Sequence, residues 1–581
     1  MENRKKTLES AGILLARGLF HISQLYLYVM AANLILAVGL FLIGKSIHWF
    51  LLPVSFAAGV ILLLHFYDDE INWTIIYEIV GAILIFVVFA YLGGRLYDFS
   101  GDGNSYHKLA VGLLKNHWNP IKDESVVNYA SNVLKMYVEE YRERWLQGYG
   151  KATWIFGASV YALTGNIETG KIYTILGMFS AFGLTCGYLK SCGKKAFIVV
   201  LMSLAAAMNP VALAQVDTFY NDGYLHLMLY IVVISLIMNV DPRHTISSKT
   251  SASLIASVMI VCANIKFTGL LYGGIYCIAY FIYYCVRSIR AGNQDCLRKC
   301  TFRCALFALL AVVSIGLAGA PTYVTNLIHH HTLTYPLTGD EPEDIMTENS
   351  PFTEENRVKN LLISTFSETC DITYRSSSTP QLKVPFTCDK SELTYMGGVD
   401  TRIGGFGIFF SGMLSLSIIV IFTEFWKTKR KTEKDRTFWT MNLIVILFLC
   451  VLIKESWWAR YAPYLYFLFL IGLYFSFDIK WKIVGRFIVP IFSAVAILNS
   501  GLQLMDIPNT AEKTETAHKL FSALGKQDTV YLYSQRPGVY FNLGDYGVHF
   551  VVDSRVADIE EAQTLVWDRT KWSLEKPGGP E

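Results

Sequence analysis

Long apolar runs separated by polar segments dominate this chain, on the scale of bilayer crossings. A helix crosses hydrocarbon with about 20 mostly apolar residues, because its backbone groups must be satisfied within the segment. The pattern predicts about thirteen spans, at residues 25–41, 49–66, 73–92, 172–189, 196–208, 224–238, 254–265, 269–286, 305–320, 406–422, 442–453, 462–477 and 484–502. A further apolar run, 154–163, carries Trp154, Phe156 and Tyr161 between flanking glycines, which suits a helix lying at the membrane interface.

Basic residues then orient the chain, since short cytoplasmic loops are enriched in lysine and arginine. Four clusters fall on one side if the N-terminus is cytoplasmic and 154–163 does not cross. They are Arg4, Lys5 and Lys6; Lys190, Lys194 and Lys195; Arg287, Arg290, Arg298, Lys299 and Arg303; and Lys427, Lys429, Arg430, Lys431, Lys434 and Arg436. The other, external face receives 93–151, 209–223, 321–405 and 454–461. The first apolar run lacks a small-residue cleavage site, so it is expected to remain as the first span.

This topology divides the chain into 1–92, an N-terminal cytoplasmic segment with three spans; 93–170, an external loop with its interfacial helix; 171–320, a transmembrane core; 321–405, a second external loop; 406–503, the last spans; and 504–581, an external α/β appendage. In the appendage, 519–524 reads as part of a helix, and 530–533 and 548–552 as strands. The fold class is all-α polytopic membrane protein with long external loops and that small appendage.

Composition agrees. Hydrophobic residues make up 53% of the 581 and charged residues only 17%, and the net charge of +3 argues against a nucleic-acid partner. Cys370 and Cys388 share an external loop and are a candidate disulfide, whereas Cys296, Cys300 and Cys304 lack a fourth ligand for zinc.

Candidate chemistry concentrates on the external face. Directly after the third run comes Tyr97-Asp98-Phe99-Ser100-Gly101-Asp102-Gly103-Asn104-Ser105-Tyr106-His107. A helical pattern through Tyr106, Leu109, Ala110, Leu113 and Leu114 follows, so Asp102 or Asn104 could simply cap that helix. Alternatively Asp102, with Asp98 as a second candidate, serves as general base on a hydroxyl, and His107 assists or orients the substrate.

The segment from Gln215 to Gly223 joins two spans on the same face. Asn221-Asp222-Gly223 reads as turn chemistry, while Gln215 and Asp217 are costly beside hydrocarbon unless they face an aqueous cavity. Lys266 sits between two spans with almost no loop, and Arg460 lies in Trp457-Trp458-Ala459-Arg460-Tyr461-Ala462-Pro463. Either alone could snorkel; together on the less basic face they point to a phosphate or diphosphate. Consecutive His329-His330-His331 make a poor chelate but offer a phosphate contact.

The order of these parts resembles the GT-C superfamily of polytopic membrane glycosyltransferases that use polyprenyl-phosphate sugars, and a bacterial branch of it in particular. The likeness rests on Asp102 to His107, Gln215 to Gly223, Tyr323-Val324-Thr325-Asn326, Tyr335-Pro336, Gly404-Gly405-Phe406-Gly407 and Trp458 to Pro463. It spans about residues 90 to 475. Two spans before the acidic loop depart from the usual order, in which that loop follows the first span, so the likeness concerns the core.

The resemblance implies transfer of a sugar, usually with inversion, from a polyprenyl phosphate or diphosphate to a glycan, lipid or protein acceptor outside the cell membrane. It makes Asp102 the catalytic carboxylate, with Asp98 and His107 beside it. Lys266, Arg460 and His331 would hold the leaving phosphate, and Tyr106, Gln215, Asp217 and Asp222 would line the substrate. Asp98, Asp102 and Asp217 would make a magnesium or manganese site if they converge, and a metal-free reaction is equally compatible. Two other readings stand beside it: a transporter or flippase of lipid-linked sugars, for which no internal repeat is visible, and a lipid-linked glycan polymerase or ligase.

Overall fold

The computed structural model describes residues 2–290, 295–339, 342–343, 349–352, 356–373, 375–376, 378–427, 433–477, 482–565 and 569–578. Lys429, Arg430 and Lys431 of the last basic cluster lie outside them. An apolar helix occupies the place of each predicted span: Glu2–Leu42, Leu51–His65, Trp73–Arg95, Tyr173–Ser191, Ala196–Ala207, Asp222–Val240, Ser248–Ala263, Phe267–Arg290, Cys296–Val312, Phe410–Lys427, Glu433–Leu452, Pro463–Ser476 and Lys482–Gly501. Among the described residues, seven helices are long and apolar enough to cross a membrane by length and composition, and others are shorter. The chain is a multi-pass membrane protein.

Burial separates two kinds of helix. Asp222–Val240 and Pro463–Ser476 are apolar all round and buried almost throughout, as expected of helices inside a bundle. Trp73–Arg95 instead exposes Ile83, Leu84, Val87 and Val88, and Cys296–Val312 exposes Leu297, Phe302, Leu309 and Val312. Such apolar faces require lipid as their solvent.

The helix Ala152–Thr164 starts and ends on one side of the bundle. At its start the Ala152 amide donates to the Asn264 carbonyl at 2.9 Å, in the tight turn before Phe267–Arg290. Just beyond its end, the Asn166 side chain donates to the Gly94 carbonyl at 3.2 Å, at the last turn of Trp73–Arg95. Its 13 residues thus run between two contacts on that side.

The C-terminal segment is larger than the sequence pattern shows. The helix runs Ile507–Leu524, a second helix covers Val539–Asp545, and four strands form one sheet: β1 (Val530–Ser534), β2 (Phe550–Val552), β3 (Gln563–Leu565) and β4 (Thr570–Ser573). Their order is β2-β1-β4-β3, with β1 and β2 parallel and the other pairs antiparallel. Val530 and Leu532 alternate inward along β1.

This appendage docks on the loop that follows Trp73–Arg95. Gly538 donates its amide to the Asn104 carbonyl at 2.9 Å, and Arg142 reaches the Gln535 carbonyl at 2.6 Å. Asp545 accepts from the Tyr161 hydroxyl at 2.6 Å and from the Ile167 amide at 2.8 Å. Cys370 and Cys388 are free thiols; the Cys370 backbone instead pairs with Ile403. Cys296 and Cys300 approach to 4.0 Å.

Candidate active site

Five segments that are remote in sequence meet on the side of the bundle carrying the appendage. After Asp102 the chain makes a π-helical turn, Gly103–His107, before the helix Lys108–Lys115. Such turns widen a helix locally and occur often at functional sites. Asp102 makes no capping hydrogen bond, and the Asn104 amide donates instead to the carbonyls of Asp98 and Ser100. Neither residue caps the helix. The Asp102 side chain remains 39% exposed, so its carboxylate is open to a ligand.

Arg460 lies in the short 3-10 turn Ala459–Tyr461 and is the hub of the cluster. Its Nη2 is 3.8 Å from Asp102 Oδ2, its Nε is 3.8 Å from Asp222 Oδ2, and its Nη1 pairs with Asp400. Nη2 also donates to the Tyr461 hydroxyl at 2.9 Å. The guanidinium carbon lies 4.6 Å from the Trp458 ring centre and 5.6 Å from that of Tyr220. Planar contacts of this kind favour arginine over lysine.

Asp222 is the first residue of Asp222–Val240 rather than part of a turn, and a carboxylate is favourable at a helix N-terminus. It pairs with Lys266, which the tight turn between Ser248–Ala263 and Phe267–Arg290 delivers to the same place. The Lys266 ammonium also lies 5.4 Å from the Tyr461 ring and 5.6 Å from the Tyr149 ring. That turn is pressed against Gly150, where a Cβ would stand 2.6 Å from the carbonyl oxygens of Asn264 and Ile265. Only glycine fits there.

Gln215 spans two acidic segments without touching the charges. Its amide nitrogen donates to the Val399 carbonyl at 2.9 Å, beside Asp400, and its oxygen accepts from the Gly223 amide at 2.7 Å, beside Asp222. Buried Asn221 has neither amide atom paired among the described residues.

His107 is buried behind Tyr106, their rings 4.3 Å apart. The Trp154 indole donates to its Nδ1 at 2.8 Å; an indole can only donate, so the ring proton sits on Nε2. Burial, then the nearby Lys266 charge, hold its pKa well below the ordinary value, so the ring is neutral. The His107 ring packs against Tyr106, Tyr149 and Tyr220.

Asp98 belongs to a different network. Its carboxylate accepts from the Ser100 amide at 2.7 Å, the Ser100 hydroxyl at 2.5 Å and the Phe219 amide at 2.8 Å. Around it, Glu168 binds Lys108 at 2.6 Å and pairs with Lys171, and Asn542 of the appendage bridges Lys108 and Glu168 at 3.1 and 2.8 Å. Asp217 is coupled to Lys171 and Asp98 in this second network, and burial pushes its carboxyl up to about 6. His331 is exposed at the end of Thr325–His330, and no hydrogen bond or ion pair ties it to the cluster among the described residues.

Asp98, Asp102 and Asp217 do not share one cation position, and among the described residues no three His, Cys, Asp or Glu side chains gather as a metal site. The charged cluster instead comprises Asp102, Asp222, Asp400, Lys266 and Arg460. Asp400, which the sequence reading passed over, is half-buried, and burial pushes its carboxyl up to about 6 despite the Arg460 charge.

No family model and no curated protein matches the chain. Among solved structures it is similar to the crystal structure of ArnT from Cupriavidus metallidurans in the apo state, with a TM-score of 0.45 and 11% identity over 86% of this chain and 99% of that one. It is also similar to the crystal structure of ArnT from the same organism bound to undecaprenyl phosphate, with a TM-score of 0.43, 11% identity and the same coverage.

Proposed function

We propose that the chain is a membrane glycosyltransferase of the GT-C kind, moving a sugar from a polyprenyl phosphate or diphosphate to an acceptor hydroxyl on the external face. The observation that carries this reading is the open Asp102 carboxylate held 3.8 Å from Arg460, a fixed cation beside a free base at the membrane edge. The N-terminus is cytoplasmic and the appendage external in this reading.

Asp102 takes the proton from the acceptor hydroxyl as its oxygen attacks the anomeric carbon. The bond from that carbon to the phosphate oxygen breaks, and the departing phosphate gains negative charge. Arg460 and Lys266 stabilise that charge where it develops. Tyr106 and Tyr220 flank Asp102, and Gln215 fixes the spacing of the Asp222 and Asp400 segments.

Charge accounting adds one requirement. Three carboxylates already face two cations in the cluster, so a phosphate must replace one of them at Arg460. Asp400 is the one suited to leave, because it is partly exposed and follows Gly397, whose φ of 79° marks a turn.

The test is native mass spectrometry of gently purified full-length protein supplied with a synthetic polyprenyl-phosphate sugar. Retention of the lipid by the native chain and its loss from Arg460→Ala is the expected result. Equal retention by both removes the phosphate role. Turnover of the same donor by the native chain but not by Asp102→Asn separates transfer from transport.

A further inference from the structure

A cavity of about 330 Å³ opens into the bundle far from Asp102. Tyr230, Ile234, Tyr276, Trp439, Phe467 and Leu470 line it, and Asp241, Arg243 and Arg287 form its polar end. Asp222 and Asp241 stand at opposite ends of the helix Asp222–Val240, about 28 Å long at 1.5 Å per residue. The cavity therefore belongs to the opposite leaflet from the Asp102 cluster.

Its shape and charge specify an amphiphile. The walls are apolar and the volume is at the lower end of the ~300–1,000 Å³ of small-ligand pockets. At the polar end, Arg287 donates one Nη1 bond to the Val240 carbonyl at 2.7 Å, and its fork makes no other hydrogen bond among the described residues. Arg243 binds Asp241 at 2.8 Å through Nε, yet its side chain is 51% exposed. The Lys194 ammonium sits 4.9 Å from the ring of Tyr474, another lining residue. Three cations thus face one carboxylate around the entrance, and Asp241 is already engaged by Arg243 and by the Tyr188 hydroxyl at 2.6 Å.

We propose that this cavity binds one hydrocarbon chain of an anionic glycerophospholipid from that leaflet, with its phosphate between Arg243 and Arg287. The chain covers Ile234, Phe467 and Leu470, and the phosphate meets donors that the protein leaves unused. This site is separate from the one assigned to the sugar donor and does not depend on that assignment.

The experiment uses full-length protein in nanodiscs carrying either phosphatidylglycerol or phosphatidylcholine with a photoreactive diazirine in one acyl chain. Cross-linked peptides are mapped by mass spectrometry. The anionic probe should label residues 230–241 and 276–287 about 30-fold more than the zwitterionic one, the size expected of two arginines facing an anionic lipid. Ile234→Trp, which fills the cavity, should remove that labelling, and Arg243→Ala with Arg287→Ala should reduce it to the zwitterionic level. Equal labelling by both probes, or labelling indifferent to Ile234→Trp, overturns the proposal. Leu470→Trp fills the space from the opposite wall and decides the same question should Ile234→Trp fail to fold.

Discussion

Asp98 and Asp102 are four residues apart and face opposite environments. Asp98 is 2% exposed, and its carboxylate is saturated by the amides of Ser100 and Phe219 and the Ser100 hydroxyl; the Asp102 side chain is 39% exposed and meets Arg460 alone among its ion-pair partners described. One acid ties segments together, and its neighbour is left open.

The two acids should therefore respond differently to substitution. Asp102→Asn is expected to lower turnover by about 10²–10⁴-fold, the usual contribution of a positioned base, with the melting temperature unchanged. Asp98→Ala leaves the buried Phe219 amide unpaired and the half-buried Ser100 amide without its acceptor, and should cost about 1–3 kcal/mol of stability for the Phe219 amide alone. Thermal unfolding and a donor-turnover assay on both variants check the contrast; near-normal turnover in Asp102→Asn would remove it from the chemistry.

Arg460→Lys should not behave as a conservative change. An ammonium cannot face Asp102, Asp222 and Asp400 from one plane or stack on Trp458. Donor binding is expected to weaken by about 2 kcal/mol, roughly 30-fold, the scale of one charge-assisted hydrogen bond. Titration calorimetry with a polyprenyl-phosphate sugar reads this directly.

Acid should favour donor binding at this site. Burial raises the Asp400 carboxyl from 3.8 to about 6, so the folded chain holds that proton more tightly than the unfolded chain. Its contribution to stability is fully present below about pH 4 and is lost as pH rises through about 6. Below 6 a neutral Asp400 releases Arg460 to a phosphate. Donor affinity should then rise between pH 7 and pH 5.5, and Asp400→Asn should bind more tightly at pH 7 with a flatter pH dependence. A native-like slope in Asp400→Asn would assign the effect to another group.

The appendage should control the site through the loop beneath it. A Cβ at Gly538 would stand 2.7 Å from the Asn104 carbonyl and 3.1 Å from the Lys108 Cβ. Gly538→Ala must push the Asp102 loop or the appendage aside, at about 1–3 kcal/mol, the usual cost of overpacking. Turnover should fall in this variant although no residue near Arg460 has changed; full activity at native stability would uncouple the two.

Some of this arrangement is legible in the sequence for a physical reason. Charges at the ends of apolar runs are costly, so Asp102, Lys266 and Arg460 stand out, and the structure puts their charged atoms in one cluster with Asp222, which by sequence reads as turn chemistry. Asp400 does not stand out, because it lies among the many polar residues of a long loop. Glu168 in Asn166-Ile167-Glu168-Thr169-Gly170-Lys171 reads as part of a polar turn. Its burial between Lys108 and Lys171 depends on charges that cancel only in three dimensions. Strands β3 and β4, three and four residues long, are too short for alternation to register.

The contacts of Gly538, Asn542 and Asp545 with the Asp102 loop also set an order of assembly. These residues follow every apolar helix of the bundle, so they emerge from the ribosome after all the membrane segments. A nascent chain holds Asp102 on an unbraced loop until this segment has folded against it. The charged cluster is thereby completed only after the bundle, and a chain that stops short of Gly538 carries Asp102 on a loop without its brace.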